Sequence, residues 1–161
     1  MIIKENVLLS ELNIIFDENN QNYISDKECI FNNKFLKIVA VENGRAIGYA
    51  MVYFGDDFIE KEDYPLDLKI RKNSAYIWNC VTKKGYENKG IQTNIFNYIK
   101  NKFSHFDIYS VVDITNLPTM KLHDKVGFKE IISFSKQYDG ILEHYKLLLL
   151  PSNILKKEIT K

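Results

Sequence analysis

The sequence predicts a mixed α+β fold, a sheet with helices on its faces, and three observations lead to that class. First, two apolar stretches at Phe35–Glu42 and residues 46–54 flank an Asn-Gly pair, which is the pattern of a β-hairpin. Second, an apolar stretch at residues 75–82 leads through a basic loop into a helical pattern at 93–100. Third, another strand, helix and strand follow between residues 108 and 134.

The composition is that of an ordinary globular domain, with 45% apolar and 27% charged residues and a net charge of +1. This charge gives no overall attraction to nucleic acid or membrane. Cys29 and Cys80 do not have the spacing of metal ligands, and we expect Cys80 to be a buried free thiol. No apolar stretch reaches the ~18 residues that a membrane-spanning helix requires. We therefore expect one cytoplasmic domain over residues 1–161, with its core at about 35–150 and a polar tail at 151–161. No metal, nucleic-acid or membrane partner is expected, and ten Tyr and ten Phe leave room for a homodimer interface.

The amino-terminal half contains one strong local pattern, the turn at Asn43-Gly44. Asn-Gly favours a type I′ turn because both central residues of that turn need positive φ. Before it, we expect a short strand at Ile2-Ile3 and helices at residues 8–16 and 23–31. After it, residues 55–74 are predicted to form a long polar loop with six acidic and four basic residues. Its six carboxylates could attract a cationic amine, or the loop is a mobile segment exposed to solvent.

The carboxyl-terminal half alternates strands and helices. The first helix should pack one apolar face on the sheet, and this face carries Ile91, Ile95, Phe96, Ile99 and Phe103. A strand at residues 108–113 precedes a short helix that Asn116 caps and Gly127 ends. Two last strands at 128–134 and 143–150 surround a turn at Asp139-Gly140.

The basic loop, residues 83–92, lies between a predicted strand and a predicted helix. Lys83, Lys84 and Lys89 outweigh Glu87, for a local charge of +2. Backbone N–H groups at a helix start bind anions, and a glycine such as Gly90 allows close approach of a ligand to the backbone. The loop therefore predicts a phosphate or diphosphate site. The alternative is an ordinary strand–helix connection with solvated lysines.

Two motifs, over about residues 35–150, resemble the GNAT superfamily of N-acyltransferases, which use acetyl-CoA. Residues 87–92 fall in register with the family pattern Arg/Gln-x-x-Gly-x-Gly/Ala, and they depart from it at Glu87 and Gln92. The second motif begins at Asn116, continues with Thr119 and ends with Gly127-Phe128, with His123 where the family usually has Tyr. The two motifs in this order make the resemblance fairly specific.

The resemblance implies a mostly antiparallel central sheet that splays between its fourth and fifth strands to admit the pantetheine arm. It implies that the following residues bind acetyl-CoA: Cys80, Val81, Thr82, Glu87, Asn88, Lys89, Gly90, Ile91, Gln92 and Asn116. Residues 80–82 would contact the arm through their main chain. We expect the Glu87 side chain to point to solvent, because its charge opposes a diphosphate. The departure at Gln92 is smaller, since a polar side chain at a helix start can itself donate to phosphate.

The resemblance also assigns catalytic candidates. The N–H near Val81 would stabilise the developing oxyanion, and His123 would replace the family's Tyr as the proton donor to the leaving thiolate. His123 is alternatively a structural helix histidine. Fallback proton donors are Tyr86 and Tyr145. Candidate general bases, besides a water chain, are Asp113, Glu42 and Glu143.

We therefore expect an enzyme that transfers an acetyl group from acetyl-CoA to a primary amine by direct attack, with the acceptor unspecified. The departures at Glu87, Gln92 and His123 raise an alternative, a non-catalytic acyl-CoA-binding or sensor module on the same fold. A nucleotide-binding module is disfavoured, because the loop has neither Gly-x-Gly-x-x-Gly nor Gly-Lys-Ser/Thr.

Overall fold

The computed structural model describes residues 1–5, 35–54, 57–59, 68–70 and 73–152 of the chain. The described residues form these strands and helices: β1 (Ile2–Glu5), β2 (Phe35–Glu42), β3 (Arg45–Phe54), β4 (Asp57–Ile59), β5 (Leu68–Ile70), β6 (Ser74–Thr82), α1 (Ile91–Lys102), β7 (Asp107–Asp113), α2 (Leu117–Val126), β8 (Lys129–Tyr138) and β9 (Ile141–Leu150). The helices predicted at 8–16 and 23–31, and the predicted tail from residue 153 onward, lie outside the described residues.

The chain divides into two compact units, Met1–Tyr53 with Ile77–Lys102 and Phe54–Tyr76 with Phe103–Lys161. In the first unit the strands lie in the order β1, β2, β3, β6, and in the second in the order β7, β9, β8. The pairs β1–β2, β2–β3, β7–β9 and β8–β9 are all antiparallel. The predicted mixed α+β class with a mostly antiparallel sheet is therefore confirmed. The number of domains and the splay between the fourth and fifth strands stay predictions.

The β2–β3 hairpin matches the sequence pattern closely. Asn43 and Gly44 have φ values of 52° and 73°, as the type I′ turn requires. The register pairs Leu36 with Val52, and it shifts between Ala40 and Val41. Side chains on both faces of the two strands are buried, so both faces of this hairpin are covered.

Helix α1 packs on the first unit through the predicted apolar face. Its Ile91, Ile95, Phe96 and Ile99 are buried, and each such side chain contributes about 1.5–3 kcal/mol of hydrophobic stabilisation. The helix starts two residues before the predicted position, at Ile91. Neither helix of the described residues has the length and apolar composition that crossing a membrane requires.

The carboxyl-terminal pattern is also confirmed. The Asn116 side chain caps α2 by accepting a hydrogen bond from the Thr119 N–H at 3.3 Å, and Gly127 ends the helix with φ 115°. Strands β8 and β9 meet at Asp139-Gly140, and both turn residues have positive φ.

The prediction of an uninterrupted loop over residues 55–74 was wrong. Within it, Asp57–Ile59 and Leu68–Ile70 pair as the antiparallel strands β4 and β5. The first segment ends with Phe58 and Ile59, and the second has Leu68 and Ile70 on either side of Lys69. Charged residues dominate the composition of residues 55–74, so the sequence pattern did not indicate two strands of only three residues each.

Candidate functional site

The basic loop leaves the end of β6 and adopts a sequence of left-handed residues. The Lys83 N–H donates to the Ile47 carbonyl on β3 at 2.8 Å, which anchors the start of the loop. Gly85, Asn88 and Gly90 then have φ values of 93°, 60° and 75°. Left-handed residues that interrupt right-handed backbone turn successive N–H groups toward one side, which forms an anion-binding concavity.

The loop ends at the amino terminus of α1. The Gly90 carbonyl accepts the first helical hydrogen bond, from the Asn94 N–H at 3.0 Å. The N–H groups of Ile91, Gln92 and Thr93 therefore have no acceptor within the helix, and the first turn contains no acidic residue. The backbone donors predicted for residues 88–92 thus lie on one short segment with the positive end of a helix behind them.

Two lysines of the basic loop are held on one aromatic ring. The ammonium groups of Lys83 and Lys89 lie 5.8 Å and 5.3 Å from the centre of the Tyr86 ring. Both distances are within the range of a cation–π interaction. Tyr86 therefore fixes two of the three positive charges close to the left-handed backbone. The sequence contains a signal for this arrangement, because an aromatic residue lies between the lysines.

The Glu87 side chain is exposed, as predicted, but it does not point away from the loop. Its Oε2 accepts a hydrogen bond from the Gly85 N–H at 2.7 Å. The negative charge thus stays in the loop, where it reduces the attraction of the three lysines for an anion.

Gln92 points into the sheet, so its side chain does not take the donor role toward phosphate that its place at a helix start would allow. Its Nε2 lies 2.8 Å from the Val81 carbonyl oxygen, 3.3 Å from the Tyr49 carbonyl oxygen and 3.2 Å from the Thr82 hydroxyl. Carbonyl oxygens only accept hydrogen bonds, so the atom that faces them is the nitrogen. Tyr49 is 43 positions away in sequence, and for this reason the local motif gave no sign of the contact.

The direction of the β6 main chain follows from its contacts with β3. The Lys83 N–H donates to the Ile47 carbonyl on β3, and the Val81 carbonyl oxygen lies beside Gly48 of the same strand. In a regular strand the N–H and C=O of one residue point to the same side and alternate along the chain. The main chain of Val81 thus faces β3, and those of Cys80 and Thr82 face away from it. Cys80 is a free thiol, as predicted; the residue as a whole is accessible to solvent, yet burial of its sulfur raises the pKa of the thiol to about 12.

His123 is enclosed in the second unit, with 1% of its surface exposed. Its Nδ1 lies 2.7 Å from the Thr119 carbonyl oxygen, and its Nε2 lies 2.8 Å from the Ser110 hydroxyl on β7. Because the carbonyl can only accept, Nδ1 carries the proton, and in the neutral ring Nε2 accepts from Ser110. The ring also packs edge-on against Phe128 at 4.9 Å.

Burial lowers the pKa of His123 below its ordinary value of 6.5, although the hydrogen bond to the Thr119 carbonyl raises it. The ring is therefore neutral at neutral pH. Both nitrogens are occupied by protein groups, and this is the geometry of a structural histidine. The sequence left that interpretation open beside the catalytic one.

The other predicted residues of the second unit lie at the end of β7 and on β9. The Asp113 carboxylate accepts hydrogen bonds from the Thr115 N–H and hydroxyl, at 2.8 Å and 2.7 Å. Tyr145 pairs with Asp113 across the two strands and stacks on Phe134. Its hydroxyl donates a hydrogen bond to the Glu143 carboxylate. Glu42, the remaining base candidate, is exposed in the first unit, beside the hairpin turn.

A family model described as the acetyltransferase (GNAT) family matches residues 7–128, which is more than half of the chain. No curated protein sequence matches the chain.

Several solved structures resemble the chain in fold. Arabidopsis thaliana NAA60 in complex with a bisubstrate analogue has a TM-score of 0.69 at 16% identity, with 94% of this chain and 99% of that chain covered. NAA60 in complex with acetyl-CoA has a TM-score of 0.60 at 14% identity, covering 78% and 80%. The ribosomal-protein-S18-alanine N-acetyltransferase from Escherichia coli has a TM-score of 0.61 at 15% identity, covering 80% and 77%. At these identities the likeness shows the fold.

Proposed function

Because this chain belongs to the acetyltransferase (GNAT) family and so uses acetyl-CoA as its cosubstrate, we propose that it transfers the acetyl group directly to a primary amine of an acceptor. The amine nitrogen attacks the thioester carbonyl carbon, the C–N bond forms, and the C–S bond breaks. One proton leaves the nitrogen and one is delivered to the sulfur, so the reaction needs a base and an acid but no further reactant.

The backbone of the basic loop is the observation that carries this proposal. Left-handed Asn88 and Gly90 stand directly before the free N–H groups of α1, and Lys83 and Lys89 are held beside them on Tyr86. This arrangement supports binding of the coenzyme diphosphate by the loop. The main chains of Cys80 and Thr82, which face away from β3, would then contact the pantetheine arm and replace Val81 as the source of the oxyanion N–H.

Tyr145 is the proton donor that the hydrogen bonding favours. His123 would have to break two buried hydrogen bonds before it could reach a thiolate. Tyr86 belongs to the proposed diphosphate loop, and in acetyl-CoA the diphosphate is separated from the thioester by the whole pantetheine arm. Tyr145 is half-buried and already bonded to the Glu143 carboxylate. After the hydroxyl has delivered its proton to the thiolate, the Glu143 carboxylate would take the proton released by the amine and return it to the tyrosinate.

Gly90 and Gly85 offer a matched pair of substitutions for testing the loop. Both have positive φ, 75° and 93°, and an added Cβ at either position meets nothing within 4 Å. Alanine therefore imposes similar backbone strain, roughly 1–2 kcal/mol, at both positions. Only at Gly90 would the methyl group enter the space that we assign to the diphosphate.

We expect Gly90→Ala to weaken binding of CoA at least tenfold in calorimetric titration, and Gly85→Ala to weaken it less than twofold. Equal losses in the two variants would show that strain, and not contact with the ligand, sets the affinity. Wild-type protein that shows neither binding nor thermal stabilisation with acetyl-CoA would contradict the proposed function itself.

The acceptor requires a separate experiment, a thiol-release screen over small amines, amino acids, polyamines and peptides with free amino termini. The name of the E. coli enzyme refers to alanine of a ribosomal protein, and peptides therefore belong in the panel. No observation favours the non-catalytic module. A cytoplasmic location and a homodimer stay predictions, which fractionation and light scattering would test.

A further inference from the structure

Gln92 occupies a position where the family pattern has a small residue. Its side chain makes contacts that a small residue cannot make. Its Nε2 is within hydrogen-bond distance of carbonyl oxygens on two neighbouring strands, Tyr49 on β3 and Val81 on β6. It also reaches the Thr82 hydroxyl. One side chain on the first turn of α1 thus connects the helix, β3 and the end of β6.

The amide oxygen of Gln92 indicates that the orientation of this side chain is specific. Its Oε1 is buried and has no hydrogen-bond partner among the described residues. Turning the amide over would place this oxygen against the two carbonyl oxygens, which cannot donate. In the observed orientation the amide nitrogen donates to β3 and β6, and the amide oxygen stays without a hydrogen-bond donor.

Gly48 shows that the backbone is packed closely at the same junction. A Cβ added to Gly48 would lie 2.9 Å from the Ile91 side chain and 3.1 Å from the Val81 carbonyl oxygen. Helix α1, β3 and β6 thus meet here without room for a methyl group. A displacement of the first turn of α1 would be transmitted directly to Val81 and Thr82.

We propose that Gln92 is a positioning residue for acetyl-CoA: its amide fixes the end of β6 to β3 and to the first turn of α1, so that the diphosphate donors and the main chain of residues 80–82 are held in one arrangement before the ligand binds. This inference rests on the proposed function. A residue that pre-arranges a binding surface lowers the cost of binding, and its loss appears in Kd and KM and not in the chemical step.

Three variants test this role: Gln92→Ala, Gln92→Glu, and Asn97→Ala as the control, which removes an exposed amide from the same helix. We expect Gln92→Ala to raise Kd for CoA and KM for acetyl-CoA roughly tenfold while kcat stays within about threefold, because hydrogen bonds of ordinary strength are lost. Asn97→Ala should match wild type in all three constants.

Gln92→Glu separates positioning from a general structural role. An ionised carboxylate cannot donate to the Val81 carbonyl, whereas a protonated one can. We therefore expect Gln92→Glu to bind CoA weakly at pH 8 and to recover affinity as the pH falls toward 5, relative to Gln92→Ala at each pH. Loss of thermal stability without this recovery would mean that Gln92 only stabilises the fold, and the inference would be wrong.

The two proposals fail in different ways. Wild-type Kd and KM in Gln92→Ala would overturn the positioning role while leaving the acetyltransferase assignment intact. Absence of CoA binding by wild-type protein would instead remove the proposed function, and with it the basis of the inference.

Discussion

Substitution of His123 by Phe separates its structural role from the catalytic role that the family resemblance implied. Phenylalanine keeps the ring that packs on Phe128, and it removes both hydrogen bonds. The Ser110 hydroxyl, which is buried, and the Thr119 carbonyl then lose this partner. The unsatisfied Ser110 hydroxyl costs about 1–3 kcal/mol and the lost bond to the Thr119 carbonyl about 1 kcal/mol, so the free energy of unfolding should fall by about 2–4 kcal/mol. For a chain of this size that corresponds to a decrease in Tm of roughly 5–15 °C.

The pH dependence of stability gives a second signature of His123→Phe. Burial lowers the pKa of His123, so the unfolded chain takes up this proton at a higher pH than the folded protein does. The contribution of the neutral ring is therefore fully present above pH 6.5 and is lost as the pH falls toward the lower folded-state pKa. Urea unfolding from pH 5 to 8 should show this loss in wild type and a smaller loss in His123→Phe.

Activity decides between the two roles. We expect kcat of the folded His123→Phe enzyme to stay within about threefold of wild type, because both ring nitrogens are already bonded to protein groups. His105→Phe, at an exposed histidine of the same unit, serves as the control and should change neither quantity. A fall in kcat of about a hundredfold with unchanged stability would identify His123 as the catalytic acid and refute the structural interpretation.

Two further predictions concern charge and proton transfer. Glu87→Gln keeps an oxygen for the Gly85 N–H and raises the loop charge from +2 to +3 (three lysines without one glutamate), so Kd for CoA should fall roughly 2–5-fold at low salt and converge with wild type at about 0.5 M salt. An unchanged Kd at low salt would show that this carboxylate does not interact with the ligand. Tyr145→Phe should lower kcat about a hundredfold without changing Kd for CoA, and an unaltered kcat would mean that the thiolate is protonated by another group.

Local sequence patterns determined much of the fold. Four predicted features depend on residues that are close together in the sequence, and all four are found in the structure. They are the Asn43-Gly44 turn, the apolar face of α1, the Asn116 cap and the Gly127 helix end. The basic loop was recognised for the same reason, since its lysines and glycines are consecutive. Two short strands inside residues 55–74 were missed because three residues carry too little periodicity to be seen.

The roles of single side chains in the candidate site depended on partners far away in the chain. Gln92 has the same sequence neighbours whether it faces a phosphate or the Tyr49 carbonyl, and only the packing of α1 on β3 selects the second contact. His123 follows the spacing of a catalytic tyrosine, yet Ser110 on β7 and the carbonyl one helical turn away occupy both of its nitrogens. The order of residues thus indicated the family and the position of the basic loop. Tertiary packing decided which polar groups are free to act, because a buried polar atom bonds to whatever partner the fold brings within about 3 Å.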